Sequence, residues 1–116
     1  MAPTLESSGT VTVAVIGTPE TLRDVNTPGT YTLAVDTNAM QAGDVLELRV
    51  YEIVLTAGTR RVFAYGQWAD VQPTDDKIKK SIPVDSELTD SGSVRFEINQ
   101  LRGTARAFPW KVLKHA

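Results

Sequence analysis

The stretch DVLELRVYEIVLTAGTRRVFAYGQWADV, residues 44–71, sets the fold class of this 116-residue chain. It contains two runs rich in β-branched and aromatic residues, 45–55 and 59–69, joined through TAGT. Gly58 can supply the positive φ of a tight turn, so the stretch predicts a long β-hairpin. A helix over residues 46–55 is the alternative, which the β-branched and aromatic content disfavours. The buried face switches along the first run, which predicts a β-bulge or a strand that buries first one face and then the other.

Apolar residues at every second position mark further strands on both sides of the hairpin. The clearest segments are TVTVAVI at 10–16, TYTLAVD at 30–36, VRFEINQL at 94–101 and AFPWKVLK at 107–114. An apolar face of period two is typical of a half-buried strand. The predicted core residues are Tyr31, Leu33, Val35, Leu46, Leu48, Phe96, Ile98, Phe108, Trp110 and Val112.

Two weaker segments complete the expected strand set. Residues 21–25 (TLRDV) predict a short edge strand. Residues 77–84 (KIKKSIPV) predict a strand with Ile78, either Ser81 or Ile82, and Val84 near the core, and with its lysines mostly outside. Residues 37–40 allow one short helical turn. The chain therefore predicts an all-β fold, a single-domain antiparallel β-sandwich or jelly roll of about seven or eight strands, with at most that one helical turn.

The two ends of the chain carry separate predictions. Residues 1–9 (MAPTLESSG) show no periodicity and predict a flexible N-terminal arm, so the domain is expected to occupy residues 10–116. The last segment is expected to pair with residues 94–101 as a closing hairpin through RGTAR. Pro109 has no N–H for a ladder, so the last strand is expected at an edge or with its proline at a non-pairing position.

Composition narrows the function classes. The chain has 41% apolar and 22% charged residues, as ordinary globular proteins do, and no cysteine, which excludes disulfides and thiolate zinc sites. The only histidine, His115, has no second histidine with which to bind a metal, and no GxSxG or calcium-loop pattern occurs. We expect no catalytic residue, no metal and no cofactor.

Net charge and hydropathy indicate that the chain binds neither nucleic acid nor a membrane. The net charge of −2 and the isoelectric point near 5.3 disfavour a nucleic-acid-binding protein. No apolar run reaches the roughly 18 to 20 residues that span a membrane. Acidic residues predominate in the first half of the chain and basic residues in the second, which pairs charges within the fold or between copies placed head to tail.

The residues expected to contact a partner come from the N-terminal segment and from the basic clusters. They are Leu5, Glu6, Arg60, Arg61, Lys79, Lys80 and Arg102.

Two segments carry a resemblance to a known class of protein. GTYTLAVDTNAMQAGDVLELRVYE (29–52) and SIPVDSELTDSGSVRFEINQLRGTARAFPWKVLK (81–114) resemble small all-β virion proteins of tailed bacteriophages. The resemblance implies a head decoration or cement protein, made in the host cytoplasm and bound to the outer surface of the capsid. It further implies the major capsid protein and copies of the chain, as a homotrimer, as partners, and no catalytic residues.

Two alternatives remain open. The chain could be another virion component, such as a tail, connector or receptor-binding module. It could also be a carbohydrate-binding β-sandwich, if Trp68, Tyr65 and Tyr51 are exposed on one face.

Overall fold

The computed structural model describes residues 3–90 and 92–115, and within these ranges the chain forms nine β-strands and no helix. The strands are β1 (Thr4–Thr12), β2 (Glu20–Val25), β3 (Gly29–Asp36), β4 (Val45–Glu52), β5 (Arg61–Ala69), β6 (Ile78–Lys80), β7 (Val84–Ser86), β8 (Val94–Arg102) and β9 (Ala107–His115). They form two antiparallel sheets. Sheet A has the order β1-β9-β3-β6, with β7 also paired to β3, and sheet B has the order β2-β8-β4-β5. The predicted all-β sandwich is confirmed.

The strand order is that of a jelly roll. The first strand pairs with the last, β2 pairs with β8, β3 pairs with β6 and β7, and β4 pairs with β5. The segments β6 and β7 lie along the same strand and are separated by three residues that include Pro83, so they act as one interrupted strand. In this pattern each pair of strands lies inside the previous pair along the chain. The chain therefore forms one long two-stranded ribbon, which folds over on itself to give two facing sheets.

The core lies between the two sheets. Nine of the ten predicted core residues are no more than 4% exposed, and they come from β3 and β9 on one side and from β4 and β8 on the other. Trp110 is the exception, because it is half-buried and packs against the margin of the core. It lies opposite Gly9, where a Cβ atom would stand only 3.5 Å from the indole ring.

The long hairpin forms, with a bulge, but its connection is longer than predicted: β4 ends at Glu52, β5 begins at Arg61, and the positive φ of the connection is at Ala57 (61°) and not at Gly58. The pairing of β4 with β5 shifts register between Val50 and Tyr51, so that Val50 pairs with Ala64 and Tyr51 with Val62. Phe63 is the additional residue. The bulge lies in β5, whereas β4 keeps a continuous register with β8 through Val50 and Tyr51. The apolar pattern of the first run changes face because β4 ends at Glu52 and the buried Ile53 lies in the connection that follows.

The predicted closing hairpin between β8 and β9 is wrong. Both sides of β8 are occupied, by β2 and β4 in sheet B, whereas β9 lies between β1 and β3 in sheet A. The loop that follows Gly103 (φ 96°) crosses from one sheet to the other. Pro109 is therefore in a central strand, but it lies opposite Thr10 of β1 and just outside the pairing with β3, which includes only Trp110 onwards.

The predicted boundary at residue 10 also differs from the structure. Strand β1 begins at Thr4 and pairs with β9 from there, with a register shift between Leu5 and Ser7. The polar sequence does not show this strand because β1 is an edge strand that buries no residue fully. Residues 1 and 2 of the predicted arm lie outside the described residues, as do Ser91 and Ala116. The expected helical turn at 37–40 is a β-turn, in which the Met40 N–H donates to the Thr37 carbonyl at 3.1 Å.

A buried carboxylate ties two loops together at one end of the sandwich. Asp44 is 1% exposed and accepts hydrogen bonds from the Gln41 N–H (2.9 Å), the Thr104 N–H (3.2 Å) and the Arg106 Nε (2.9 Å). Burial alone would raise the pKa of Asp44, but these donors outweigh it and hold the pKa below its ordinary value. A Cβ atom on Gly103 would lie 2.0 Å from the same carboxylate, so this position requires glycine.

We predict that Phe108→Ala lowers the free energy of unfolding by about 3–5 kcal/mol, because it removes a fully buried ring of the central strand. Urea unfolding measures the change. Lys111→Ala, on the exposed face of the same strand, is the control and is expected to cost less than about 0.5 kcal/mol. Equal effects of the two substitutions would contradict the placement of β9.

We predict that Asp44→Asn costs about 2–3 kcal/mol, because a charge-assisted hydrogen bond to Arg106 is lost. The folded-state pKa of Asp44 is depressed, so its contribution is complete above about pH 4 and is lost as the pH falls through the folded-state pKa. Urea unfolding between about pH 7 and pH 3 should therefore show a weaker pH dependence in the variant than in the unmodified protein. Asp75→Asn, an exposed acid, should retain the full dependence.

Candidate interaction surfaces

Within residues 3–90 and 92–115 no three His, Cys, Asp or Glu side chains lie together as a metal site. The same ranges contain no helix long and apolar enough to cross a membrane. His115 lies at the end of β9, with its Nε2 atom 3.0 Å from the Thr32 hydroxyl. The distinctive features of the described chain are instead the outer faces of the two sheets and the free edge of β5.

The outer face of sheet A contains a groove of about 530 Å³. Ser8, Lys111, Ala34 and Lys80 follow one another across β1, β9, β3 and β6 as register partners. Their chain neighbours in β3, Leu33 and Val35, are fully buried, so this row points away from the core. We name this feature the sheet A groove; it is lined on this face by Ser8, Ala34, Asp36, Ile78, Lys80, Pro109 and Lys111.

The groove combines an apolar floor with free positive charge. Ala34 is only 6% exposed although it faces outward, because longer side chains stand on the strands to either side of it. Those neighbours are Lys80 and Lys111, and neither ammonium group forms a hydrogen bond or ion pair with another described residue. Ile78 is 51% exposed in the same groove. With two ammonium groups against the one carboxylate of Asp36, this surface is complementary to a partner that is apolar and acidic.

The structure brings two of the seven predicted contact residues to this face. Leu5, which is 60% exposed, and Lys80 both lie on the outer side of sheet A. Lys111 and Ala34 were missed. Alternation along each strand already indicates that both point outward, but only the pairing of β9 with β3 and of β3 with β6 places them beside Lys80.

The other predicted contacts lie elsewhere. Glu6 is half-buried and forms an ion pair of 2.8 Å with Arg23, which links β1 to β2. Arg60 is half-buried and its Nε donates to the Gly92 carbonyl at 3.1 Å. Arg61 and Arg102 are exposed, at the start of β5 and at the end of β8.

The prediction that Lys79 faces outward is wrong. Lys79 is 5% exposed, and its Nζ atom donates to the Asp76 carbonyl at 2.6 Å and lies 2.9 Å from the Asp76 carboxylate. The same ammonium group stands 5.6 Å from the centre of the Trp68 ring, which is cation–π geometry. The reason is register: Lys79 pairs with the buried Val35, so the face of β3 forces it inward and leaves Ile78 and Lys80 outside.

Trp68, Tyr65 and Tyr51, proposed as a sugar platform, do not share one exposed face. Trp68 pairs with the buried Leu46 and turns inward, where it lines a cleft of about 210 Å³ between the sheets. Tyr65 is 69% exposed on the outer side, whereas Tyr51 is half-buried and donates to the Glu97 carboxylate at 3.0 Å.

The outer face of sheet B carries charges that are already paired. Arg95 makes two hydrogen bonds to Asp24, at 2.6 and 2.9 Å, and Arg49 lies 2.5 Å from Glu47. The hydrogen bond from Arg95 is the main cause of the lowered pKa of Asp24. Because these groups satisfy one another, this face offers less free charge to a partner than the sheet A groove does.

Comparisons of the chain with models of known protein families, with curated proteins and with solved structures find no match. The resemblance to phage virion proteins therefore depends on the sequence segments 29–52 and 81–114 alone.

We predict that Lys79→Ala lowers the free energy of unfolding by about 1–3 kcal/mol, because it leaves a buried site without its charge-assisted hydrogen bonds. Lys80→Ala, one residue later and exposed, should change stability by less than about 0.5 kcal/mol. Thermal or urea unfolding of both variants makes the comparison. If Lys80→Ala proved the more destabilising change, the register of β6 would be wrong.

Proposed function

We propose that this chain is a non-enzymatic structural protein of a tailed-phage virion, a decoration or cement protein that binds the outer surface of the capsid. The observation that supports the proposal is the sheet A groove, which has an apolar floor between Lys80 and Lys111 and is the surface that we propose binds the capsid. The resemblance of residues 29–52 and 81–114 supplies the class of partner, the major capsid protein.

The physical requirements of such a role are modest. A decoration protein needs a stiff body and a face complementary to the shell. The jelly roll provides the body, because its core residues from both sheets are almost completely buried. Binding to the assembled shell and not to its separated subunits stabilises the shell by mass action, by an amount that grows with protein concentration.

Electrostatics gives this attachment a specific signature. Lys80 and Lys111 are exposed and have no partner among the residues that the structure describes, so an acidic capsid surface would attract them and would replace their contacts with water. Attraction between exposed charges is screened by salt over about 8–10 Å at physiological ionic strength. Binding to heads is therefore expected to weaken as salt is added, while the apolar contacts of Ile78 and Leu5 leave a salt-resistant remainder.

The test uses heads of the parent phage assembled without this protein. Purified protein is mixed with these heads, and the bound fraction is measured by co-sedimentation. Lys80→Glu is expected to weaken binding by about tenfold or more, because it places a like charge against an acidic partner. Arg102→Glu carries the same change of charge at the end of β8 in sheet B and is expected to bind normally.

Two results would overturn this proposal. Failure of the unmodified protein to bind heads, together with its absence from purified virions, would exclude a decoration role. Binding to tails or connectors, located by electron microscopy of labelled particles, would assign the protein to another part of the virion.

A further inference from the structure

Strand β5 is an unprotected edge of sheet B. It is nine residues long, pairs only with β4, and no described strand lies on its other side. The opposite edge of the sheet, β2, is shorter and carries Arg23 and Asp24 inside the strand. Each of the two edge strands has one register shift, which in β5 is the bulge at Phe63, so length and charge distinguish the two edges. Short and charged edges resist pairing with another chain, whereas a long edge with few charges is a template for it.

Exposed apolar side chains concentrate around this edge. Among the described residues, five of the ten large apolar residues with exposed side chains lie between positions 54 and 65: Val54 and Leu55 in the loop before β5, and Val62, Phe63 and Tyr65 in the strand, with exposures of 75%, 73%, 46%, 47% and 69%. Exposed apolar side chains clustered in this way favour an interaction site. Neither lysine nor proline, the residues that usually block an edge, occurs in β5.

The charges at the two ends of β5 indicate which partner suits the edge. Arg61 is the first residue of the strand, and Asp70 follows its last residue directly; both are exposed. In an antiparallel pair of two β5 strands, the start of each strand lies beside the end of the other. Arg61 of each copy then approaches Asp70 of its partner, and both ion pairs form at once because the contact has two-fold symmetry. Parallel pairing would instead bring the two arginines together.

We propose that two copies of this chain pair through β5 in antiparallel orientation, so that sheet B continues through a two-fold axis into the partner. The proposal commits to a second copy because the edge is complementary to itself in charge and carries exposed apolar side chains in its first half, at Val62, Phe63 and Tyr65. It does not depend on the proposed function, and it leaves the outer face of sheet A free.

The experiment measures the mass of the full chain by sedimentation equilibrium over a range of concentrations. The unmodified protein is expected to form a dimer. Asp70→Lys and Arg61→Glu are each expected to raise the dissociation constant by about tenfold or more, because each places like charges together at both ends of the contact. The double variant R61E/D70K restores opposite charges and is expected to recover most of the affinity.

Controls separate the contact from general effects of charge and of folding. Glu87→Lys makes the same change of charge as Asp70→Lys at an exposed position in the loop before β8, and it should leave the dimer unchanged. Because the Asp70 carboxylate also accepts the Gly43 N–H at 2.8 Å, thermal unfolding of each variant checks that the fold is retained. Hydrogen exchange gives a second measurement that needs no variant: amides of β5 should become protected as concentration rises through the dimer range.

Each remaining outcome overturns the proposal. A monomer at all concentrations would show that β5 does not pair with itself, even if it accepts a strand from a different protein. A trimer, or a dimer in which R61E/D70K fails to recover affinity, would place the contact between copies on another surface. Binding to heads is measured separately, so its failure would leave the dimer result intact.

Discussion

The pairing of the first strand with the last holds this fold together. Strand β9 lies between β1 and β3, so Thr4 stands opposite Lys114 and the two ends of the chain close one sheet. This placement lays Phe108 and Val112 over the core residues of sheet B. Without β9, sheet A would separate into the single strand β1 and the group of β3, β6 and β7, and neither could cover the facing sheet. Because β1 and β9 are far apart in sequence, their pairing has a high entropic cost of loop closure, and such a cost favours slow folding.

Different side-chain interactions join the two sheets at the two open sides of the sandwich. On one side Glu6 of β1 forms an ion pair with Arg23 of β2. On the other side Lys79 of sheet A stands over Trp68 of sheet B and is held by Asp76. Both contacts use long side chains to join strands that share no backbone hydrogen bonds. The second closure is incomplete, because a cleft remains beside Trp68, and the neighbouring edge of β5 has no partner among the described strands.

The distinction between satisfied and unsatisfied charges separates structural residues from candidate contacts. Asp44 with Arg106, and Asp24 with Arg95, satisfy one another at hydrogen-bonding distance and stiffen the body. Lys80 and Lys111 have no such partners within residues 3–90 and 92–115, and they flank an apolar floor. In the proposed assembly, the outer face of sheet A would contact the shell while β5 contacts a second copy. The two contacts do not compete, because they use different sheets.

Local pattern was enough to identify the strands that bury a face. The period-two apolar residues of β3, β4 and β8 indicated both the strands and their core-facing residues, because burial selects apolar side chains on one face whatever the neighbouring strand is. The two apolar runs on either side of a short polar connection indicated the β4–β5 hairpin, but not where its strands end or which strand carries the bulge. The alternating segment 10–16 overlaps only the end of β1, and the polar residues 4–9 gave no such signal, since an edge strand buries little and imposes little on its sequence.

Pairing between distant segments decided everything else. In the sequence, β8 and β9 are consecutive alternating segments, a pattern that is typical of a hairpin. In the structure β8 already has β2 and β4 as neighbours, so β9 crosses to the other sheet. A three-residue strand such as β6 is too short to fix its own register, so its pairing with β3 turned Lys79 inward against the local pattern. The sheet A groove arises in the same way, because Lys111, Ala34 and Lys80 become neighbours only when β9, β3 and β6 lie side by side. The residue types determined which face of each strand is apolar. Which strands lie side by side depended on backbone hydrogen bonds, and because every residue type can form these bonds, the sequence pattern does not reveal the pairing.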